Sequence, residues 1–418
     1  MVGFLVVVLC GAIGAEEEGA VKTIFVSPGG KDGAVGTWVE PLGKLSAALA
    51  KVMPGERVVV LEGSYGETVT LPKSGEPGKP ILLLAEGRVI INPGGDKKDH
   101  GHGIVGRDVG WWIIEGFEIT GHLQGIKFKN GHDITVRKCR IRAGGSGLAL
   151  EGTTARNLLF EDIELFEHKS GGLDVAKPVA MEAVTFRRCI AHHNDCEDGS
   201  DGFGISHECT TRNVLFEGCQ AFYNGSDGFD LSGRKGFGLE VVGCVAHHNG
   251  QKRWGANFKC WNPGSKFINC TAWVTGADAD GNFELIGDNI ELINCTSGAN
   301  ADAGIVVSGK NARIVNCIIA DAAKKALVLK KPEASCTAEN CLVSHCGSPG
   351  AIVPGKYGNL IGDAAFLDPE KGDYRTRRES AAVGKGQPVP EVASDADGHP
   401  RPKAAPTIGA YEPRDLDR

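Results

Sequence analysis

VTFRRCIAHHN, residues 184–194, recurs four times, as VLFEGCQAFYN from Val214, LEVVGCVAHHN from Leu239, SKFINCTAWVT from Ser265 and IELINCTSGAN from Ile290. Each copy places an apolar pair before a cysteine, and the five cysteines are spaced 30, 25, 26 and 25 residues apart. The column continues more loosely, backward to Cys139 and forward to Cys317 and Cys341. A fixed period of this size is typical of a solenoid, here with about nine turns or more.

A second apolar line runs through the same repeats. It comprises SGLAL at Ser146, GGLDV at Gly171, DGFGI at Asp201, DGFDL at Asp227, ANFKC at Ala256, GNFEL at Gly281, AGIVV at Ala303 and KALVL at Lys325. These short strands are separated by Gly, Asn and Asp without a helical period, which excludes a leucine-rich horseshoe and favours an all-β parallel β-helix. The 60 glycines of the sequence suit its many tight corners.

The ends of the chain differ from its repetitive middle. Residues 1–15 are apolar and end in small residues, which predicts a signal peptide and a secreted, extracellular or periplasmic protein. Residues 16–365 are predicted to form the β-helix, with an amphipathic helix near Leu42 to Val52 capping its N-terminal end. Residues 366–418 are charged and proline-rich and are predicted to be a C-terminal closing segment.

Charge and hydropathy exclude two classes of partner. The net charge is −7, and the basic residues are scattered without interleaved aromatics, so a nucleic-acid partner is not expected. No stretch reaches the roughly 18 apolar residues of a membrane span. An acidic protein can still bind an acidic polymer if a divalent cation bridges the like charges. We expect a monomer, since a solenoid with capped ends has no edge to pair.

The cysteines fall into two groups. Eight belong to the repeat column and are predicted to be small buried apolar side chains. Cys196 with Cys209, and Cys336 with Cys346, could close loops in an oxidising compartment. Neither CxxC pairs nor histidine spacing supports a zinc site.

Acidic residues of the second line fall on neighbouring turns. When the strands are aligned on their phenylalanines, Asp201 lies over Asp227. Adjacent strands lie about 4.8 Å apart, so these two carboxylates could share one cation. The corner at Gly228 could turn Asp230 toward the same pocket, and Asp195, Glu197 and Asp198 lie just upstream. Clustered hard oxygen ligands are the type that Ca²⁺ prefers.

The same alignment produces a second column, made of Gly204, Asp230, Lys259 and Glu284. Without a bound ligand, this column would be an exposed ladder of ion pairs, each contributing roughly 0 to 1 kcal/mol. If a metal bound beside the column, Lys259 would lie next to the metal site. Spacing alone leaves both interpretations open.

Three motifs carry a resemblance to a known family. NGSDGFD at residues 224–230, DGF at 201–203 and GANFKCW at 255–261 resemble the site of family 9 polysaccharide lyases, which are pectate lyases with a right-handed parallel β-helix. The resemblance implies that Asp201, Asp227 and Asp230 bind calcium and that Lys259 is the catalytic base. The family's remaining calcium-binding aspartate falls at Ser226, which departs from the pattern.

This resemblance implies a secreted, calcium-dependent lyase that cleaves a pectate-type polyuronate by β-elimination. Such a reaction removes the C5 proton beside a uronate carboxylate, which is weakly acidic until a cation withdraws electron density. Lysine has a reference pKa of about 10.4, so the pKa of Lys259 must be lowered for the side chain to act as a base.

Other candidates and functions remain open at this stage. Lys252, Arg253 and Trp254 could bind a uronate carboxylate and stack on a sugar ring, or form an ordinary exposed loop. A glycoside hydrolase on the same scaffold would need two carboxylates about 5 to 9.5 Å apart. A non-catalytic carbohydrate-binding β-helix is the third possibility, because this fold recurs without enzyme activity.

Overall fold

The computed structural model describes residues 21–94, 101–176, 178–194, 200–252, 254–276 and 278–413. Over these ranges the chain is an all-β, right-handed parallel solenoid of about 11 turns with almost no helix. The predicted fold class is confirmed to this extent. The predicted signal peptide lies outside the described residues.

One sheet, called sheet B here, has eleven parallel strands that each contribute one layer to a single face of the solenoid. Numbered in chain order over the whole molecule, they are β3 Val69–Leu71, β5 Ile104–Arg107, β7 Gln124–Lys129, β10 Ser146–Glu151, β13 Gly171–Val175, β16 Phe203–Ile205, β19 Phe229–Leu231, β22 Phe258–Cys260, β25 Gly281–Leu285, β28 Ala303–Val307 and β31 Lys325–Leu329. These strands correspond to the second apolar line of the sequence.

The second sheet, sheet A, has 23 strands and contains the cysteine repeats. Its strands are β1 Thr23–Val26, β2 Arg57–Tyr65, β4 Ile81–Ile91, β6 Gly110–Thr120, β8 His132–Arg137, β9 Arg140–Arg142, β11 Thr154–Glu161, β12 Glu164–Phe166, β14 Ala180–Arg187, β15 Ile190–His192, β17 Thr210–Glu217, β18 Gln220–Phe222, β20 Leu239–Val242, β21 Val245–Asn249, β23 Lys266–Ile268, β24 Thr271–Thr275, β26 Glu291–Ile293, β27 Thr296–Ser297, β29 Ala312–Val315, β30 Ile318–Ala320, β32 Cys336–Glu339, β33 Leu342–Ser344 and β34 Leu360–Ile361.

Stacked side chains of one type fill the core between the sheets. In sheet B the ring centroids of Phe203 and Phe229 are 4.9 Å apart, and those of Phe229 and Phe258 are 4.8 Å apart. In sheet A the repeat cysteines are buried, and their thiols donate to carbonyl oxygens of the preceding turn, as Cys219 Sγ does to Phe186 O at 3.3 Å. The prediction of a buried cysteine column is confirmed.

A ladder of buried asparagines fixes the corner that leads into sheet B. Asn194 Nδ2 donates to Asn224 Oδ1 at 2.9 Å, and Asn224 Nδ2 donates to Asn249 Oδ1 at 2.8 Å. The same amides reach back to backbone carbonyls of the preceding turn, as Asn224 Nδ2 does to Ala191 O at 3.0 Å. Because the ladder satisfies buried polar groups on every turn, it holds the corners in a constant shape. The acidic residues of sheet B follow directly after this ladder.

Both ends of the solenoid carry additional structure. The helix expected near Leu42 to Val52 is present as α1 Leu45–Lys51, which buries Leu45, Ala48 and Leu49 against the first strands. Its role as a cap stays a prediction, as do the predicted domain boundaries. Past the last turn, β35 Phe366–Asp368, a 3₁₀ turn Pro369–Lys371 and β36 Asp373–Thr376 form a small hairpin.

The C-terminal segment is attached to the solenoid through a buried arginine. Arg401 is 8% exposed, and its guanidinium donates to Asn269 Oδ1 at 2.8 Å and to Glu412 Oε1 at 2.9 Å. Asn269 belongs to a turn of sheet A, so this contact joins the segment to the repeats.

The possible disulfide between Cys336 and Cys346 is absent, because both thiols are free. Cys336 lies within β32, whereas Cys346 follows β33 and its thiol donates to Ile319 O. The two residues therefore occupy different positions of the repeat. The other expected pairing involves Cys196, which lies outside the described residues; Cys209 is buried.

Candidate active site

The strand register of sheet B brings the predicted site residues into one column. Gly204 pairs with Asp230, Asp230 with Lys259, and Lys259 with Glu284, on β16, β19, β22 and β25. The alignment expected from the phenylalanines is confirmed. It places Asp230 and Lys259 on the outer face of the sheet, because the phenylalanines beside them point into the core.

Glycine at the corner brings Asp201 and Asp227 onto the same site. A Cβ at Gly202 would lie 2.6 Å from the carbonyl oxygen of Gly228, and a Cβ at Gly228 would lie 2.6 Å from that of Asn257. Only glycine allows the turns to approach so closely, which explains the repeated Asp-Gly-Phe motif. Asp201 consequently accepts a hydrogen bond from the Asp227 backbone N–H at 3.0 Å.

Three carboxylates converge at this corner. One oxygen from each of Asp201, Asp227 and Asp230 lies within 4.8 Å of the others. Asp227 is the deepest of the three, at 2% exposed, and its Oδ1 accepts the Ala256 backbone N–H at 2.7 Å. Ser232 Oγ donates to Asp230 Oδ1 at 2.7 Å. The carboxylates are thus held by fixed donors and oriented toward a common point.

Lys259 is the cation that faces these carboxylates. Its Nζ lies 2.9 Å from Asp227 Oδ2 and 3.7 Å from Asp230 Oδ2. The lysine side chain is 23% exposed. Among the described residues Glu284 forms no ion pair with Lys259, so the structure contains a partly buried cluster in place of the exposed ladder considered above.

The packing of these charges shifts their protonation. Burial and the nearby charge of Asp230 raise the pKa of Asp201 to about 7. Burial and Asp201 also raise the pKa of Asp227 well above its ordinary value. Burial lowers the pKa of Lys259, but attraction to the three carboxylates outweighs this effect, and the net pKa is raised. Asp201 and Asp227 therefore hold their protons more tightly than isolated carboxyl groups do, because burial and the neighbouring carboxylates outweigh the attraction of one lysine.

Ser226 occupies the position where the family pattern has an aspartate. Its side chain hydrogen-bonds to the Asp201 carboxylate. A hydroxyl can donate to a carboxylate or offer a neutral oxygen to a cation, but it adds no negative charge. Asp195, Glu197 and Asp198, which could add charge, lie outside the described residues.

A second acidic group in the C-terminal segment differs in its contacts. Asp395 Oδ1 accepts the backbone N–H groups of Asp397 and His399 at 3.0 and 2.8 Å, and Asp397 binds the Arg375 guanidinium at 2.8 Å. The Asp395 carboxylate therefore stabilises a turn, and the Asp397 carboxylate forms an ion pair with Arg375. The cluster around Asp227 is the better candidate for a cation.

A groove of about 640 Å³ opens beside Lys259. Trp254, Trp261, Asp280, Glu284 and Lys330 are among the residues that line it. Trp254 is 80% exposed. A planar aromatic surface beside charged groups is suited to a sugar ring.

The three predicted substrate-binding residues do not share one environment in the structure. Trp254 lines the groove, and its contact with a sugar stays a prediction. Lys252 is exposed, and its backbone N–H donates to Gly225 O at 3.0 Å. Arg253 lies outside the described residues.

Sequence reasoning missed several residues of this site. Ser232 follows β19 directly and orients Asp230, whereas Lys330 reaches the groove from β31, three turns beyond Lys259, and pairs with Asp280. Trp261 ends the GANFKCW motif, and the Arg234 guanidinium lies 3.9 Å from its ring centroid. Ser232 and Trp261 occupy the same position of the repeat, three residues after Phe229 and Phe258. This shared position was the sequence signal that could have identified both residues.

Comparison with known proteins identifies relatives of this chain. A family model described as Pel9A-like, right handed beta helix region, matches residues 24–266. Pectate lyase L of Dickeya dadantii (strain 3937) is 27% identical over 227 residues, covering 50% of this chain and 47% of that protein. Pectate lyase L of Paenibacillus polymyxa (strain SC2) is 25% identical over 270 residues, covering 59% of this chain and 50% of that protein.

The match to these curated relatives is partial, because the chain spans about half of their length. Among solved structures, the crystal structure of pectate lyase Pel9A is similar over 94% of this chain and 97% of that chain, with a TM-score of 0.61 and 20% identity. This similarity concerns the fold.

No helix within the described residues is both long and apolar enough to span a membrane.

Proposed function

This chain belongs to the Pel9A-like right-handed β-helix family, and from that premise we propose that it is a calcium-dependent polysaccharide lyase that cleaves a pectate-type polyuronate by β-elimination. The observation that carries the proposal is the contact of Lys259 with a partly buried cluster of three aspartates at one corner of the solenoid. Removing a proton next to a carboxylate requires a base and a nearby positive charge, and here a partly buried lysine lies beside a candidate cation site.

Asp201, Asp227 and Asp230 are the residues that would hold Ca²⁺. They fit the ion because they offer hard oxygen ligands that converge on one point, and because a cation would relieve the repulsion between carboxylates that helps to raise the pKa values of Asp201 and Asp227. Ser226 would contribute a neutral oxygen in place of a fourth carboxylate, so we expect weaker calcium binding than four aspartates would provide. When bound, calcium would supply positive charge to the uronate carboxylate and acidify its C5 proton.

Lys259 would act as the base. Two opposing influences set its pKa: burial lowers it, and attraction to the three carboxylates raises it. Neutralising the carboxylates would leave burial as the main influence, and the pKa of Lys259 would fall. The same lysine is therefore a stable ammonium beside free carboxylates and a candidate base once their charge is compensated.

The proposed reaction balances with these groups. Lys259 Nζ takes the proton from C5 of the uronate, the electron pair forms the C4–C5 double bond, and the bond from C4 to the glycosidic oxygen breaks. Solvent water supplies the proton for the leaving oxygen. The products are an unsaturated uronide and a new polymer end.

The remaining parts of the proposal concern substrate and location. Trp254 would stack on a sugar ring, while Lys252 and Arg253 would bind uronate carboxylates. The apolar residues 1–15 support secretion. A secreted protein would meet a polysaccharide substrate outside the cell. A monomer would suffice, because all proposed site residues come from one chain.

Glycoside hydrolysis at the same aspartates is less well supported. The paired carboxylates of glycosidases stand about 5 to 9.5 Å apart so that they can flank the bond or admit a water. Here one oxygen from each of the three carboxylates lies within 4.8 Å of the others, and Lys259 Nζ is within 4 Å of two of the carboxylates, at 2.9 and 3.7 Å. This arrangement suits a shared cation better.

The test is the ultraviolet absorbance of unsaturated uronides after incubation with polygalacturonate and other polyuronates, first with Ca²⁺ and then with a chelator. We expect a calcium-dependent rise for the wild type and a loss of at least about 100-fold for Lys259→Ala, the scale of a removed general base. Lys266→Ala, on sheet A, is the matched control and should retain activity. Full activity of Lys259→Ala would refute the mechanism. Polymer binding without turnover would favour a carbohydrate-binding protein.

A further inference from the structure

Two pairs of adjacent histidines lie outside the proposed active site, at the end of sheet A strands. His192 ends β15 and is followed by His193, and His247 and His248 lie on β21. In both pairs the two Nδ1 atoms face each other, at 2.8 Å in the first pair and 2.9 Å in the second. The same contact therefore occurs twice at one position of the repeat, two turns apart.

The separation of the Nδ1 atoms matches that of two ligands on one metal ion. Imidazole nitrogens bind divalent transition metals at about 2.0 to 2.1 Å. Two such nitrogens at a right angle around one ion, as in a square-planar site, lie about 2.8 to 3.0 Å apart. In the histidine pair one imidazole donates its Nδ1 proton to the Nδ1 lone pair of the other. A metal ion could take the place of that proton and bind both nitrogens.

The first pair also has the outer hydrogen bond that metal-binding histidines typically make. His192 Nε2 lies 3.1 Å from Glu164 Oε1, on the preceding turn. The Glu164 carboxylate is held in turn by Arg140, whose Nε donates to Oε2. A proton on His192 Nε2 leaves the lone pair on Nδ1, the atom that faces His193. Glu164 therefore favours the tautomer that a metal ion requires.

Neighbouring aromatic rings hold the first pair in place. The His192 ring is stacked between Phe166 and Phe222, with centroid distances of 5.1 and 4.9 Å. The His193 ring contacts Tyr223, with a centroid distance of 5.2 Å. Ligands that are ordered before binding lose less conformational freedom when an ion binds. His193 is exposed, so an ion can reach the pair from solvent.

The electrostatic environment of His193 also suits a cation. Burial and the neighbouring His192 lower the pKa of His193, although Glu167 has the opposite effect. The ring is therefore neutral at physiological pH, which is the form that binds a metal. Glu167 is exposed and places a negative charge near the pair.

The second pair provides an internal comparison. Its nitrogens have the same separation, but among the described residues no carboxylate forms an ion pair with His247 or His248. It lacks the outer partner that Glu164 provides for the first pair. The two pairs thus differ in the feature that should decide metal affinity.

We propose that His192 and His193 form a binding site for a divalent transition-metal ion, with Cu²⁺ as the preferred ion and Glu164 as a positioning residue. Nitrogen ligands bind Cu²⁺ more tightly than the other divalent ions of the first transition series. Two protein nitrogens with the other positions open to water differ from the closed four-ligand zinc sites that the histidine spacing does not support. The inference goes beyond the lyase function and does not depend on it.

The experiment titrates Cu²⁺ into the full chain without an affinity tag. Excess Ca²⁺ occupies oxygen sites, and free glycine competes for weakly bound copper. The proteins are the wild type, His193→Asn and the control His248→Asn. His193 and His248 both have a positive φ, of 51° and 53°, which asparagine tolerates, so each variant loses one imidazole at an equivalent corner. Electron paramagnetic resonance reports the copper ligands, and thermal melting confirms that each variant is folded.

We expect the wild type to bind one equivalent of Cu²⁺ tightly, with a spectrum that shows nitrogen ligands. Glu164→Gln keeps an oxygen that can accept from His192 but removes the charge, and should weaken binding by about tenfold. His193→Asn removes a ligand and should weaken binding by more than about 100-fold, beyond the range of an outer partner. His248→Asn should bind copper as the wild type does.

Three results would overturn the site: a wild type that binds no copper in competition with glycine, tight binding that persists in His193→Asn, or tight binding that is lost in His248→Asn. Unchanged affinity of Glu164→Gln would overturn the role of Glu164. If His193→Asn fails to fold, Glu164→Gln still tests the site through its weaker binding. None of these measurements uses lyase activity, so their failure and the failure of the proposed function are distinguishable.

Discussion

Lys259 Nζ lies 2.9 Å from the Oδ2 atom of Asp227, a carboxylate that is only 2% exposed and belongs to the preceding turn of the solenoid. The other oxygen of that carboxylate is held by the Ala256 backbone N–H at 2.7 Å. This contact joins the proposed base to the proposed metal ligands. The two functions are consequently linked through one buried side chain, and substitutions on either side should affect both.

The first prediction concerns Asp227. Replacing it by Asn removes a charged ligand from the centre of the cluster, so Ca²⁺ should no longer stabilise the protein. For the wild type, calcium at 100 times its dissociation constant should add about 2.7 kcal/mol to the free energy of unfolding. Thermal or urea unfolding with and without Ca²⁺ measures this difference.

A matched control for that experiment is Asp162→Asn. Asp162 pairs with Arg188 on sheet A, outside the groove. It should retain the calcium-dependent stabilisation. An equal response of Asp227→Asn and the wild type to calcium would exclude Asp227 as a ligand.

The second prediction is the pH dependence of stability without metal. The pKa of Asp201 is raised to about 7 in the folded protein, against about 3.9 in an unfolded chain. The folded state therefore binds the proton more tightly, and this residue makes stability fall as the pH rises from about 4 to about 7. Replacing Asp201 by Asn should remove that fall and stabilise the chelator-treated protein at pH 7 by roughly 1 to 2 kcal/mol, since partial hydration reduces the full effect.

Urea unfolding at several pH values, in the presence of a chelator, measures the slope for the wild type and Asp201→Asn. The same variant should lose calcium binding. A metal-free Asp201→Asn protein that is less stable than the wild type at pH 7 would show that the carboxylates do not repel one another as inferred.

The third prediction concerns the corner that positions the aspartates. A Cβ at Gly228 would lie 2.6 Å from both Asn257 O and Asn249 Nδ2, in the buried ladder. Gly228→Ala should therefore lower the free energy of unfolding by about 1 to 3 kcal/mol and reduce lyase activity by displacing Asp227. Gly29→Ala, where nothing lies within 4 Å of the added Cβ, is the control. Normal stability and activity of Gly228→Ala would show that the corner can relax.

The register of the site was predictable because the repeats determine it. Once Phe203, Phe229 and Phe258 are aligned in the core, the residues beside them must form an outer column, and the structure confirms the column of Asp230 and Lys259. The burial of the repeat cysteines followed from the same periodicity. Features that depend on strand period and core packing are thus accessible from the sequence.

Features that depend on corner geometry were less accessible. The column alone does not decide whether Lys259 turns to Asp227 or to Glu284, because that choice depends on how the Gly228 corner directs a carboxylate. The sequence left a Cys336–Cys346 disulfide open for a related reason: closeness in sequence does not decide whether two residues face each other across a turn, and both thiols are free. The position of Lys330 in the groove could not be predicted without knowing how the two turns between it and Lys259 stack.

The last prediction concerns a buried histidine at the N-terminal end of the asparagine ladder. His168 is 1% exposed, donates its backbone N–H to Asn194 Oδ1 at 3.2 Å and places Nε2 3.0 Å from Ile141 O. Asn194 makes the corresponding contact one turn later, from Nδ2 to Leu165 O at 3.2 Å. His168 therefore occupies an asparagine position of the ladder.

This position should make the wild type sensitive to acid. Burial, together with the neighbouring His122, lowers the pKa of His168 to about 3, so the ring stays neutral in the folded protein while the unfolded chain takes up a proton below about pH 6.5. Stability contributed by the neutral ring is present above pH 6.5 and is lost as the pH falls, by roughly 2 kcal/mol at pH 5. His168→Asn keeps a neutral amide that can donate to Ile141 O and should reduce this acid-dependent loss.

Urea unfolding of the wild type and His168→Asn at pH 7 and pH 5 measures the effect as a difference of differences, which cancels any cost of the smaller side chain at both pH values. His345→Asn is a suitable control, because His345 is exposed and its ring contacts Asp321 at the surface. If the wild type and His168→Asn lose the same stability between pH 7 and pH 5, the buried ring is not responsible. If only His168→Asn resists acid, the asparagines of the later turns can be understood as the side chains that satisfy the same corner without a titrating group.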